Sequence, residues 1–165
     1  MSAAATNRDM PDHLSVTDLR FPRQLLLWAM RQVRYGAGDN ETQRLIGEVL
    51  QRVGISPAHQ YLNSMADRFA MHSTCSLQVL PPDRGWVSCD ELLILDALGA
   101  MQQGDTERLE ICWMRWLSAT AFRVAVVHAA ELMSVFSGAG LLLGVPSNDL
   151  NNLPKRTQEI TLHEF

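Results

Sequence analysis

The stretch VSCDELLILDALGAMQQGDTERLEICWMRWLSATAFRVAVVHAAELMSVFSGAGLLL, residues 87–143, decides the fold. Ser88-Cys89-Asp90-Glu91 has the form of a capping box. The Ser88 hydroxyl can accept from the Glu91 backbone N–H, and the Glu91 carboxylate can accept from the Ser88 N–H. Asp90 and Glu91 also put negative charge at the positive end of the helix dipole. Leu92, Leu95, Leu98 and Met101 then recur at helical spacing. Gly104 reads as a stop, because glycine enters the left-handed region without a Cβ clash. Asp105 or Thr106 restarts the chain as an N-cap. The next helix carries Leu109, Cys112, Trp113, Trp116 and Leu117, and so short a turn makes the two helices antiparallel.

Working outward, a helix starts near Pro22, a residue suited to the first turn, and ends at Gly36 or Gly38. A second is capped by Asp39 or Asn40 and closed by Gly54. Ser56-Pro57 opens a third, with Tyr61, Leu62, Met65, Ala66, Phe69 and Ala70 on one face. Between Ser73 and Val87 the periodicity breaks. Pro81-Pro82-Asp83-Arg84-Gly85 is turn chemistry, and Leu77, Val79 and Leu80 suit a short extended piece. A long irregular connection of this kind is often functional. The sixth helix runs from about Ser118 to Phe136. The expected architecture is all-α: about six helices in an antiparallel bundle-like single domain, with the sixth central and Val124, Val127, Leu132 and Val135 buried. Residues 1–14 are expected to be a disordered N-terminal segment, 15–144 the helical domain, and 145–165 a C-terminal tail, disordered or docked on a partner.

Composition bounds the function. The chain has 165 residues, 47% hydrophobic and 19% charged, enough for one domain with a substantial core. The net charge of −4, with no Lys/Arg block, argues against nucleic acid as a partner. The second and third helices have a helix-turn-helix spacing, yet the would-be recognition helix, His59 to His72, offers only Arg68 beside Asp67. Cys75, Cys89 and Cys112 are an odd, sparse set that fits a reducing compartment, and residues 1–11 lack an apolar signal core. A cytoplasmic location follows as the expectation. Residues 119–143 are apolar enough to invite a membrane reading. Arg123, His128 and Glu131 would be costly in lipid, so a core helix with one thin polar edge is expected instead.

No complete catalytic motif is present, and an enzyme is not the expected class. The best metal candidate is His72 with Cys75 and Cys89, since zinc accepts imidazole nitrogen and thiolate in a tetrahedron. A fourth ligand would have to come from His59 or Cys112. The plainer reading is a free thiol beside a surface histidine. No cofactor is expected, with zinc or iron the ones this trio would take. Cys75 as a nucleophile would need His72 as base and an oxyanion hole, which no local signature supplies. His128 and Glu131 share a helical face, but in the reverse of the di-iron order and only once, so a buried His–Glu hydrogen bond or a polar seam with Arg123 is the simpler reading. Trp113, Trp116 and Phe122 read as core. In the tail, Ile160, Leu162 and Phe165 are candidate partner-binding anchors, because an ordering segment needs buried apolar side chains to offset its entropy.

The segment from His72 and Cys75 through Val87-Ser88-Cys89-Asp90-Glu91 and its Leu-rich helix to Gly104-Asp105 resembles a group of small helical proteins from alphaproteobacteria. This chain differs by inserting Pro81 to Gly85 and by its loop cysteines. The resemblance implies a bacterial cytoplasmic protein and carries no activity. The expected function is that of a non-enzymatic regulatory or adaptor protein that binds another protein, or itself as a homo-oligomer, through a helix face or the tail. A metal- or redox-responsive sensor using His72, Cys75 and Cys89 is the alternative, and a helical enzyme the second.

Overall fold

The computed structural model describes residues 14–144. After a 3₁₀ turn, Val16–Asp18, come six helices: α1 (Phe21–Tyr35), α2 (Asn40–Arg52), α3 (Ala58–His72), α4 (Cys89–Gln102), α5 (Thr106–Trp113) and α6 (Ala119–Gly138). The described residues form a single all-α domain. They contain no strand, only isolated bridges joining Ser15 to Trp86 and Ser73 to Leu117. The extended piece expected at Leu77 to Leu80 therefore stays irregular, because its backbone groups bond to side chains rather than to a neighbouring strand.

The caps form as the chemistry dictates. Ser88 and Glu91 make the full capping box of α4. Asp39 caps α2, Asp105 caps α5 and Ser118 caps α6, each through its side chain. One start differs: Ser56 makes no side-chain cap, because the chain enters α3 through a turn in which the Ala58 N–H donates to the Ile55 carbonyl. α5 stops at Trp113, earlier than the spacing suggested. Trp116 and Leu117 follow in a turn and are still fully buried.

The central helix is α4, not α6. Every residue from Leu93 to Ala100 is buried, as befits a helix that is apolar there except for Asp96, which is paired with Arg23. α6 packs chiefly on α3 and less on α4. The bridge between Ser73 and Leu117 sets the end of α3 beside the start of α6, so these two helices run antiparallel. The inward face of α6 is Phe122, Ala125, Ala129, Leu132, Met133 and Phe136. Leu132 is buried as expected, but Val124 and Val127 are exposed at 39% and 57%, and Val135 is only partly covered. The reason is angular: Val124 and Val127 share a face with Arg123 and Glu131, and that whole face points to solvent. Of an α6 window apolar enough to cross a membrane by length and composition, only 33% is buried. The polar edge is thus a broad outer face, and Glu131 and Arg123 stand on it exposed rather than in a buried seam.

Two buried ion pairs fasten α1 to α4. The Arg31 guanidinium grips the Glu91 carboxylate with both Nε and Nη2, at 2.8 and 2.9 Å. Arg23 donates from Nη1 to Asp96 at 2.7 Å. The lower-numbered arginine meets the higher-numbered acid, so α1 and α4 are antiparallel. The sequence expectation gave Glu91 only as a capping-box carboxylate and did not single out Arg23, Arg31 or Asp96. A usable signal was there: Arg23, Leu27 and Arg31 recur every fourth position on α1, which puts both arginines on the apolar face.

Candidate functional site

The irregular segment between α3 and α4 is tied down along its length. At its start, the Thr74 N–H donates to the Trp116 carbonyl at 2.7 Å and the Cys75 thiol donates to the Arg115 carbonyl at 3.2 Å. In its middle, the Tyr35 hydroxyl donates to the Val79 carbonyl, and the Leu80 N–H donates to Glu91. Towards its end, Arg31 donates to the carbonyls of Arg84 and Trp86. Glu91 therefore does three things at once: it closes the capping box, neutralises Arg31 and takes a loop N–H. A carboxylate with this many donors and no exposure is well compensated for its burial.

The tethered segment forms one wall of a cleft. α1 supplies Met30, Val33 and Arg34, and α3 supplies Leu62, Met65, Ala66, Phe69 and Ala70. Leu77 and Val79 close the loop side, with Ile94 of α4 at the base. The α3 face that read as an apolar stripe is thus only partly consumed by the core; Ala66 is half-buried and Ala70 exposed. The cleft encloses about 250 Å³, below the roughly 300–1,000 Å³ usual for small-molecule sites. Its lining is mainly aliphatic and thioether, and thioethers adapt to irregular apolar shapes. Two exposed groups, Arg34 and Cys75, break the apolar surface. Arg34 is exposed in the last turn of α1. Ser73, which also lines the cleft, has a buried hydroxyl without a hydrogen-bond partner among the described residues. Cys75 is exposed and contributes to the lining.

The metal candidates stand on three different parts of the chain. His72 ends α3, Cys75 lies in the loop and Cys89 opens α4, all three exposed. Among the described residues, no group of three or more His, Cys, Asp or Glu side chains is placed to hold a metal ion. Neither completing ligand is at hand. His59 hydrogen-bonds Gln43 between α2 and α3, and Cys112 is buried on α5. Burial pushes the Cys112 thiol above its ordinary value, which disfavours the thiolate that a metal or an oxidant needs. His128 and Glu131 make no buried hydrogen bond, since Glu131 faces solvent. Trp113 and Trp116 are core, packed edge-on against Phe69, with Phe122 against Trp113. Ile160, Leu162 and Phe165 lie outside the described residues.

What the cleft offers is a mainly apolar surface. The cleft contains a thiol, a hydroxyl and a guanidinium, but no described base stands within hydrogen-bond reach of the thiol or the hydroxyl. Compared with protein-family models, with curated proteins and with solved structures, the chain matches none.

Proposed function

We propose that this protein is a non-enzymatic interaction module, a regulatory or adaptor protein, and that its working surface is the cleft between α1, α3 and residues 73–79. The observation that carries the reading is a pre-formed cleft with a mainly apolar lining, drawn from α1, α3 and the tethered segment between α3 and α4. A cleft of about 250 Å³ suits one or two apolar side chains of a partner segment. Anchoring a side chain in a desolvated pocket is how interfaces concentrate their energy. Arg34 at the rim favours a partner with an acidic residue beside the anchor. The resemblance of residues 72–105 makes the setting bacterial and cytoplasmic in this reading.

The experiment is affinity capture from bacterial lysate with the full chain and with Ala70→Glu, followed by mass spectrometry. Ala70 is exposed at the cleft edge, so the added carboxylate occupies the cleft without entering the core. The expected outcome is a stoichiometric protein partner retained by the wild type and lost by Ala70→Glu, with both proteins melting within a few degrees of each other. Equal capture by both would remove the cleft from the function. Cys75 in the lining supports a second, redox-responsive reading. In that case peroxide treatment abolishes capture by the wild type but not by Cys75→Ser.

A further inference from the structure

The outer face of α6 has a symmetry that its inner face lacks. Arg123, Val124, Val127, Ala130 and Glu131 are all exposed. Thr120 and Ser134, one turn further out on either side, are exposed as well. Positions 120, 123, 127, 130 and 134 alternate steps of three and four, the spacing of a seam between two packed helices. The charges sit symmetrically about the middle. Arg123 lies four residues before Val127 and Glu131 four after it, at equal distances along the axis. Val127 is itself 57% exposed.

We propose that α6 pairs antiparallel with α6 of a second copy of this chain, about a two-fold axis that passes through Val127. Turning the helix over on itself sets Arg123 level with Glu131 of the other copy, and Glu131 level with its Arg123. Both charges are answered at once, as an isologous interface requires. The small Ala130 beside Val127 on the seam lets the helices approach closely. A parallel pairing would instead put like charges side by side, at a cost. The inference goes beyond the cleft, to whose lining α6 contributes nothing. It also accounts for an apolar helix of which this chain's own core buries only 33%. One helix pair is a small interface, so the dimer forms reversibly with concentration rather than as an obligate unit.

The experiment is carried out on the full chain with the exposed Cys75 and Cys89 changed to serine. Val127→Cys in this background is incubated with oxidised glutathione, beside Val124→Cys. At the two-fold axis a residue meets its own copy, so Val127→Cys forms a covalent dimer readily. The two copies of Val124→Cys stand about 9 Å apart along the helix axis and form it far more slowly. Sedimentation of the otherwise unaltered chain should show a monomer–dimer equilibrium. Arg123→Glu should weaken that equilibrium about tenfold, and adding Glu131→Arg should restore it. Equal crosslinking at both positions, no crosslinking at either, or failure of the double reversal to recover association would overturn the proposal. So would a chain that stays monomeric but binds phosphatidylcholine–phosphatidylglycerol vesicles through α6, which would make this face a membrane contact.

Discussion

Asp96 is fully buried in α4, with Oδ1 accepting from Arg23 and Oδ2 without a hydrogen-bond partner among the described residues. Burial pushes its carboxyl above the ordinary value of 3.8, and the hydrogen bond and charge of Arg23 offset only part of that. A raised carboxyl has a definite sign in the stability. Between the ordinary and the raised value the fold holds the proton and the unfolded chain does not. The contribution of Asp96 to stability therefore grows as pH falls through the folded value and is lost as pH rises through it. Asp96→Asn removes that titration while keeping the shape. Urea denaturation of both proteins from pH 7 down to about pH 4 should show the difference moving in favour of the wild type as pH falls. A difference that is flat or moves the other way would mean that Arg23 outweighs burial.

At the scale of the element, α4 shows how packing overrides propensity. Glycine in a helix interior ordinarily costs up to about 1 kcal/mol relative to alanine, and two helices here contain one. At Gly99 an added Cβ would lie 2.9 Å from the Gly144 carbonyl oxygen, where the chain returns over α4. Arg23 reinforces that return by donating from Nε to the Leu143 carbonyl at 2.7 Å. At Gly47 in α2 the nearest atom would be His59 Nδ1 at 3.7 Å, an ordinary contact. The same substitution should therefore have opposite signs. Gly47→Ala is expected to stabilise by about 0.5–1 kcal/mol. Gly99→Ala is expected to destabilise by about 1–3 kcal/mol, since backbone must move. Thermal melts of the two variants check this, and a rise in both would show that residues 141–144 are not held against α4. The capped helix starts are legible in sequence because a cap is a local event, a side-chain oxygen reaching an N–H two or three residues away. The early stop of α5 is not local: Trp116 and Leu117 are held in the turn by the core they enter.

For the whole molecule, the described core closes from Leu19 to Leu143, with α1, α5 and α6 packed on α4, and α3 on α6, α1 and α2. Deleting residues 148–165 is accordingly expected to leave the helical circular dichroism and the melting temperature unchanged. If Ile160, Leu162 and Phe165 are partner anchors, the deletion weakens capture of a partner. A fall of several degrees would instead assign the tail to the core. By itself, the sequence determined the all-α class, the number of helices, most caps and the central position of the aromatic residues. These follow from periodicity and from hydrogen bonds between near neighbours. It also marked residues 73–87 as the one long break. Only the tertiary structure decided that α4 rather than α6 is central, that two arginines of α1 lie inside, and that the loop and α3 enclose a cleft. Among the described residues, it placed no group of three or more His, Cys, Asp or Glu side chains to hold a metal ion. Each of these depends on which face of a helix turns inward. Where both faces are apolar enough, as in α6, that choice is made by the other helices competing for the same core.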